Sequence, residues 1–294
     1  MQAIDLPLEA ADGHRFRLLG RVPERPRACL LWLPALGVAA KHYLPFADAL
    51  AERGIAAFLH EWRGNGSSAL RAGRDRDWGY RELLTLDLPA SETAIAAQWP
   101  QMPRTIGGHS LGGQLACCRL ALRPDVAQAL WLVASGAPYW RAFPAPTRWW
   151  LPLVYRAAPW LANLHGALPG HNLGFGGNEA RGLIADWART ATSGRYAARG
   201  VDVDLEAGLA ALRQPVRAVV MRDDWLGPRA SLQFLLDKLG TRDASVVTLD
   251  AHALGVRADH FAWMRQPHAV VAALCGDQAA AATVDGASAG SASA

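Results

Sequence analysis

The stretch that decides the fold is Arg104-Thr105-Ile106-Gly107-Gly108-His109-Ser110-Leu111-Gly112-Gly113. A short β-prone segment, Arg104 to Gly108, runs straight into a serine set among glycines, and the apolar spacing then turns helical through Leu115, Cys118 and Leu122. That is strand, sharp turn, helix. Gly108-His109-Ser110-Leu111-Gly112 fits G-x-S-x-G, an elbow that projects a serine hydroxyl toward a base while a backbone N–H beside it faces a developing oxyanion. The flanking glycines let strand and helix approach without Cβ clashes. By itself the pentapeptide equally suits a glycine-rich turn in an ordinary doubly wound protein, so the rest of the chain decides.

Outward from the elbow, apolar β-prone runs alternate with helical ones, the order of a mainly parallel sheet covered on both faces. Phe16 to Val22 and Ala28 to Leu33 read as strands, the second an unbroken apolar run of the kind buried on both faces. A helix over Tyr43 to Arg53, ended by Gly54, leads to a strand at Ala56 to Trp62. Turn chemistry follows at Arg63-Gly64-Asn65-Gly66-Ser67-Ser68, then a helix from near Pro89 to Trp99. Beyond the elbow, strands are predicted at Ala129 to Ser135, Val216 to Met221 and Ser245 to Leu249, with helices at Arg229 to Leu239 and Phe261 to Leu274. About eighty residues rich in Trp, Tyr, Phe, Pro and Gly separate the first two of these strands, with a helical patch near Glu179 to Ala191, and this length implies an insertion. Within it Pro146, Pro152, Pro159 and Pro169 are expected to break the chain into short helices, and Gly174, Gly176 and Gly177 to allow movement. The resulting division is a core in two parts, 1–137 and 201–275, an insertion over 138–200, and a disordered Ala/Gly/Ser/Thr tail over 276–294.

Composition removes several classes. With 51% hydrophobic and 19% charged residues in 294, the chain is not disordered, collagenous or coiled-coil as a whole. Its longest apolar stretch, Ala28 to Ala40, runs 13 positions and holds Pro34 and Gly37, short of the ~20 that span a bilayer. Asp5, Glu9, Asp12 and His14 interrupt the N-terminal region where a secretion signal needs an apolar run, so a cytoplasmic protein is expected. Trp149 to Tyr155 offers at most a weak contact with a membrane surface. The net charge of +4 comes from dispersed arginines with no basic run, which argues against a nucleic-acid partner. Four cysteines without a CxxC pair, two of them adjacent at Cys117 and Cys118, read as core thiols. Oligomeric state is not legible.

An acid and a histidine follow the elbow in the order Ser, Asp, His. Asp223 and Asp224 come directly after the Val216 to Met221 strand, at the carboxyl edge where open α/β sheets place ligands. His260 follows the last strand. Asp223 rivals Asp224 and His252 rivals His260, and Asp223 has Arg222 as an alternative partner. His109 reads as support for the turn. His165 and His171 are loop histidines without metal-ligand spacing, and Gly64-Asn65-Gly66 is a structural turn lacking a phosphate-binding fingerprint. No metal or cofactor is expected.

Over residues 12 to 275 the sequence resembles the α/β-hydrolase superfamily, particularly small bacterial hydrolases of the serine aminopeptidase and monoacylglycerol lipase group. The resemblance rests on Leu33-Pro34-Ala35-Leu36-Gly37, Arg63-Gly64-Asn65-Gly66-Ser67, Gly108-His109-Ser110-Leu111-Gly112-Gly113, Asp224 four residues before Pro228, and His260. It implies an α/β-hydrolase fold, a mainly parallel doubly wound sheet with an inserted helical lid. It also implies cofactor-free cleavage of carboxylic esters or related acyl bonds through an acyl-enzyme. Carried over, Ser110 is the nucleophile, His260 the general base and Asp224 its orienting acid, with the backbone N–H groups of Leu36 and Leu111 as oxyanion donors. Two positions depart from the pattern: Pro34-Ala35 stands where many relatives have His-Gly, and Asp259 precedes His260 where relatives often have Gly. The aromatic insertion implies an apolar acyl substrate, with Trp149, Trp150 and Trp225 as contacts. A non-catalytic ligand receptor and a cofactor-free carbon–carbon lyase are the rival functions on this scaffold.

Overall fold

Strands β3 (Ala28–Leu33) and β4 (Ile55–Leu59) carry no polar side chain and sit inside the sheet, as unbroken apolar runs require. The computed structural model describes residues 1–170 and 176–277; His171, Gly174, Phe175 and the expected disordered tail from 278 onward lie outside them. Ahead of β3 and β4 come β1 (Gln2–Glu9) and β2 (Arg15–Val22), and after them β5 (Arg104–His109) and β6 (Ala129–Val133). A two-residue ladder, β7 (Leu168–Pro169) with β8 (Asn178–Glu179), precedes β9 (Val216–Met221) and β10 (Ala244–Leu249). The main sheet is ordered β1-β2-β4-β3-β5-β6-β9-β10. β2 is antiparallel to both β1 and β4, and every other pairing in that sheet is parallel.

Side-chain alternation divides the core into two layers. Leu31 and Leu33 of β3 pack with the helices Leu88–Gln98, Leu111–Leu122, Leu205–Ala211 and Arg229–Leu236. Leu30 and Trp32 point the other way, to Leu44–Glu52 and His268–Cys275. The neighbouring parallel strands β5, β6 and β9 place their carboxyl ends on one edge, which carries residues 109–110, 134–135 and 222–227.

Three features differ from the sequence expectation. Strand β1 was not foreseen, because Asp5 and Glu9 read as interruptions; they occupy exposed positions of an edge strand whose Ile4, Leu6 and Leu8 turn inward. The closing helix is split into a 3₁₀ turn, Ala262–Arg265, and the helix His268–Cys275, because Pro267 disfavours helical geometry in the residue before it. Thr147–His165 is one helix of 19 residues and not a series of short ones, although it contains Pro152 and Pro159. Seven residues separate these prolines, so their missing N–H groups fall on nearly the same side, while Leu151, Tyr155, Ala158 and Ala162 form a buried stripe that holds the helix. Cys29, Cys117 and Cys118 are buried free thiols, and Cys275 is half-buried.

The Arg63–Ser68 turn is held by ion pairs and side-chain hydrogen bonds. Arg63 forks to both oxygens of Asp87 (2.7 and 2.8 Å) and both of Asp12 (2.7 and 2.9 Å). Asp87 Oδ1 also meets His14 Nδ1 at 2.9 Å, and His14 Nε2 meets Ser68 Oγ at 2.9 Å. The Ser68 hydroxyl further accepts the N–H groups of Gly64 (3.1 Å) and Leu70 (3.2 Å). Among the described residues no helix is long and apolar enough to cross a membrane.

Candidate active site

β5 stops at His109 and the helix Leu111–Leu122 starts one residue later, leaving Ser110 as the whole turn. Its φ of 55° and ψ of −121° are unusual for a residue with a Cβ. The neighbours enforce this: a Cβ on Gly112 would stand 2.0 Å from the Leu33 carbonyl oxygen, so only glycine lets the helix start so close to β3. Ser110 N–H donates to Val133 O (3.2 Å), and Ser135 Oγ donates to Ser110 O (2.8 Å). Ala134, at φ 45°, is the other non-glycine residue with positive φ among the described residues, and both it and Ser110 line one cavity.

Asp224 lies in the turn after β9 and His260 in the loop before Ala262–Arg265. Their side chains meet at 2.7 Å, His260 Nδ1 to Asp224 Oδ2, and both are buried. Asp224 Oδ1 accepts the N–H groups of Leu226 (2.9 Å) and Gly227 (3.0 Å), which fixes the carboxylate plane. Trp263 Nε1–H donates to His260 O (3.1 Å) and anchors the loop. The rivals lie elsewhere: Asp223 and His252 are both exposed, and Arg222 pairs with Asp250 at 3.5 Å instead of Asp223. Asp259 accepts the N–H groups of Phe261 (3.1 Å) and Ala262 (2.8 Å) and pairs with Arg257 (2.9 Å), so it caps the turn. Its presence in place of glycine therefore has a local structural role.

Leu36 follows β3. The N–H before it, on Ala35, donates to Tyr43 Oη (2.9 Å), and that hydroxyl meets His109 Nδ1 at 2.8 Å. The Tyr43 hydroxyl thus links the Ala35 N–H to the His109 imidazole. Burial, reinforced by neighbouring His260, holds His109 well below the usual histidine range and hence neutral. Through Tyr43, His109 thus braces the loop that carries Ala35 and Leu36. Leu36 N–H has no protein acceptor among the described residues, and Leu111, as the first helical residue, has none within its helix. Tyr43 was not singled out in the sequence, where it looks like any apolar helix residue.

Gly37 is packed against the backbone of Gly176 and Gly177; a Cβ on Gly37 would stand 2.1 Å from Gly177 N. Glu179 Oε1 accepts Gly177 N–H at 2.8 Å, and burial pushes this carboxyl up to about 7. A carboxyl with a raised folded pKa binds more protons folded than unfolded between its ordinary 4.5 and about 7, so its contribution to stability declines as pH rises through that window. The full difference is about 3 kcal/mol. Glu179→Gln keeps an acceptor for Gly177 without titrating, and is expected to raise Tm relative to the parent at pH 8 but not at pH 5. Equal differences at both pH values would reject this account.

The family model of the S33 serine aminopeptidases matches residues 24–253. The chain belongs to this family. As an S33-family protein it is an α/β-hydrolase enzyme and a serine hydrolase. No curated protein matches the sequence. Solved structures share the fold at low identity. A hydrolase from Pseudomonas aeruginosa PA01 superposes with a TM-score of 0.62 at 16% identity, covering 95% of this chain and 98% of that one. A thermophilic esterase from Thermogutta terrifontis gives 0.62 at 16%, covering 94% and 97%. The thioesterase domain of the curacin biosynthetic pathway gives 0.57 at 18%, covering 94% and 100%.

In this S33-family hydrolase a cavity of about 240 Å³ opens over the elbow. Ser110, His260, Leu36, Leu111, Trp150 and Trp225 all border it, and Asp224 stands behind His260. Its wall is apolar, with Phe143, Leu151, Tyr155 and Trp187 contributed by the segment between β6 and β9. Trp150 and Trp225 face each other at 6.0 Å between ring centroids, and both are partly exposed. Trp149 corrects the sequence reading: it is 67% exposed, lies outside the cavity wall, and has Arg148 over its ring at 5.9 Å. Consecutive helical residues diverge by about 100°, so the turn that brings Trp150 to the cavity carries Trp149 away. Among the described residues no group of three or more His, Cys, Asp and Glu is placed to hold a metal ion.

Proposed function

We propose that this enzyme cleaves carboxylic esters or closely related acyl bonds of apolar small molecules through an acyl-enzyme. The observation that carries the reading is the 2.7 Å His260–Asp224 contact beside a cavity that also holds the strained Ser110. Ser110 Oγ attacks the acyl carbon while His260 Nε2 takes its proton; His260 then protonates the leaving group, and water reverses the sequence. Asp224, on Nδ1, fixes the tautomer and stabilises the imidazolium without itself becoming protonated. Leu36 and Leu111 N–H groups face the developing oxyanion. Among the described residues Ser110 and His260 share no direct hydrogen bond; such contacts are commonly long without substrate and tighten with it. The solved neighbours described as an esterase and a thioesterase domain agree with an acyl bond as target. Residues 138–200 act as a lid in this reading, since they supply the apolar wall above Ser110.

Labelling of Ser110 by a fluorophosphonate, with turnover of a p-nitrophenyl ester panel, tests the proposal. It separates the hydrolase from a receptor on the same fold, which would not label, and from a lyase, which would not release the acid. Because the wall is apolar, kcat/KM is expected to rise from acetyl to hexanoyl. Each fully buried CH₂ contributes up to roughly 0.8 kcal/mol, a factor of about 4, where the contact persists in the transition state. Trp150→Ala should flatten this rise and Trp149→Ala should leave it in place. A flat profile in the parent enzyme would remove the acyl-cavity reading while leaving the triad untouched.

A further inference from the structure

The helix Thr147–His165 has two apolar faces. Its buried stripe, Leu151, Tyr155, Ala158 and Ala162, holds it to the rest of the protein. At about 100° per residue, Trp149, Leu153, Trp160 and Leu164 fall within about 60° of one another on the opposite side. Their exposures are 67%, 67%, 63% and 51%. A lone exposed apolar residue needs no explanation, but a row of such residues along about 22 Å of one helix marks a surface that something covers. Short helices broken at the prolines, as the sequence suggests, would scatter these side chains. One unbroken helix aligns them. Trp150 and Val154, at the edge of the row, also border the cavity, so the apolar surface runs on to the rim above Ser110.

Charge selects the partner. No Asp or Glu occurs between Asp125 and Glu179, whereas Arg141, Arg148 and Arg156 all fall in that interval. The three arginines are exposed and have no acidic partner among the described residues. Arg141 and Arg148 stand over the rings of Trp140 and Trp149, and Arg156 borders the apolar row on its polar side together with Asn163. Tryptophan and leucine beside unpaired guanidinium groups match the boundary between lipid headgroups and acyl chains. A second copy of the chain matches poorly, because two-fold pairing would bring the same arginines of both copies into an interface to which this helix contributes no acid.

We propose that the helix Thr147–His165 docks on an anionic phospholipid bilayer, with Trp149, Leu153, Trp160 and Leu164 entering the interface and Arg148 and Arg156 meeting lipid phosphates. The helix lies in the plane of the membrane and does not span it. This orientation turns the Trp150 rim of the cavity toward the lipid. Docking is independent of the acyl-bond reading above, because it is measured without turnover.

The test is co-sedimentation of the full chain with vesicles of phosphatidylcholine alone and of phosphatidylcholine mixed with phosphatidylserine. The parent is expected to bind the anionic vesicles roughly 10-fold or more tightly than the neutral ones, since each arginine held near such a surface is worth roughly fivefold. Added salt should narrow that difference. Combining Trp149→Ser, Leu153→Ser and Trp160→Ser should weaken binding to the anionic vesicles roughly 10-fold or more, with thermal unfolding unchanged because these side chains are exposed. Arg148→Gln with Arg156→Gln should remove most of the preference for anionic lipid, and keeps the proposal testable where the triple variant fails to fold. No vesicle binding by the parent, equal binding to both compositions, or binding that survives both sets of substitutions overturns the proposal. So does a dimer of the parent in sedimentation velocity that the triple variant dissolves, which assigns the face to a second copy.

Discussion

Ser110→Ala is expected to lower kcat on p-nitrophenyl esters by about 10⁶, the usual cost of deleting a triad nucleophile, with unfolding unchanged within about 1 kcal/mol. The separation of the two effects follows from the elbow. Ser110 is held through its main chain, by Val133 and Ser135, and its hydroxyl makes no hydrogen bond among the described residues. Alanine inherits the same positive φ and the same main-chain bonds, so it removes the reacting atom and little else. Steady-state kinetics and thermal unfolding of the purified variant decide the matter. Residual activity above a tenth of the parent would take the nucleophile's role away from Ser110.

Asp224→Asn and His260→Ala are each expected to reduce kcat by about 10⁴ or more, while Asp223→Asn and His252→Ala stay within about threefold of the parent. The magnitude for the aspartate is that of the serine-protease template, where the amide selects the wrong histidine tautomer. Here the geometry gives the same reason: Asp224 already accepts Leu226 and Gly227 N–H on Oδ1, leaving Oδ2 as the acceptor for His260 Nδ1–H. An amide that presents its NH₂ there opposes that proton. Asp223 and His252 are solvated and touch neither partner. The opposite ranking within either pair would reassign that role.

Most of the scaffold was legible because it is made of uniform local signals. The unbroken apolar runs of β3 and β4, the elbow, and acids at the end of β9 each follow from a few neighbouring residues. Local signals failed where distant partners decide. Asp5 and Glu9 obscure β1, which exists because β2 pairs with it. Prolines suggested breaks in Thr147–His165, but the buried stripe from Leu151 to Ala162 outweighs them. At the site, Ser110, Asp224 and His260 announce themselves by residue type and order. Tyr43 and Ser135 do not, since their positions near the elbow are products of the sheet's crossings and common residue types carry no warning. Trp149 and Trp150 are adjacent aromatics of the same kind, and only the phase of their helix distinguishes them.

A template search for a serine, a histidine and an aspartate linked in sequence through the two imidazole nitrogens would score this molecule at Ser68, His14 and Asp87, with both contacts at 2.9 Å. It would do so more cleanly than at Ser110, whose hydroxyl shares no hydrogen bond with His260 among the described residues. Yet Ser68 Oγ is saturated by Gly64, Leu70 and His14, and Asp87 is clamped by Arg63, so no lone pair is left for an incoming carbonyl carbon. On the proposed reading, reactivity would track the idleness of the hydroxyl and its doorway to a ligand more closely than completeness of the relay. For automated recognition of hydrolases the practical corollary is a vacancy criterion: among competing arrays in one chain, the under-coordinated serine on a strained main chain is the one to test first.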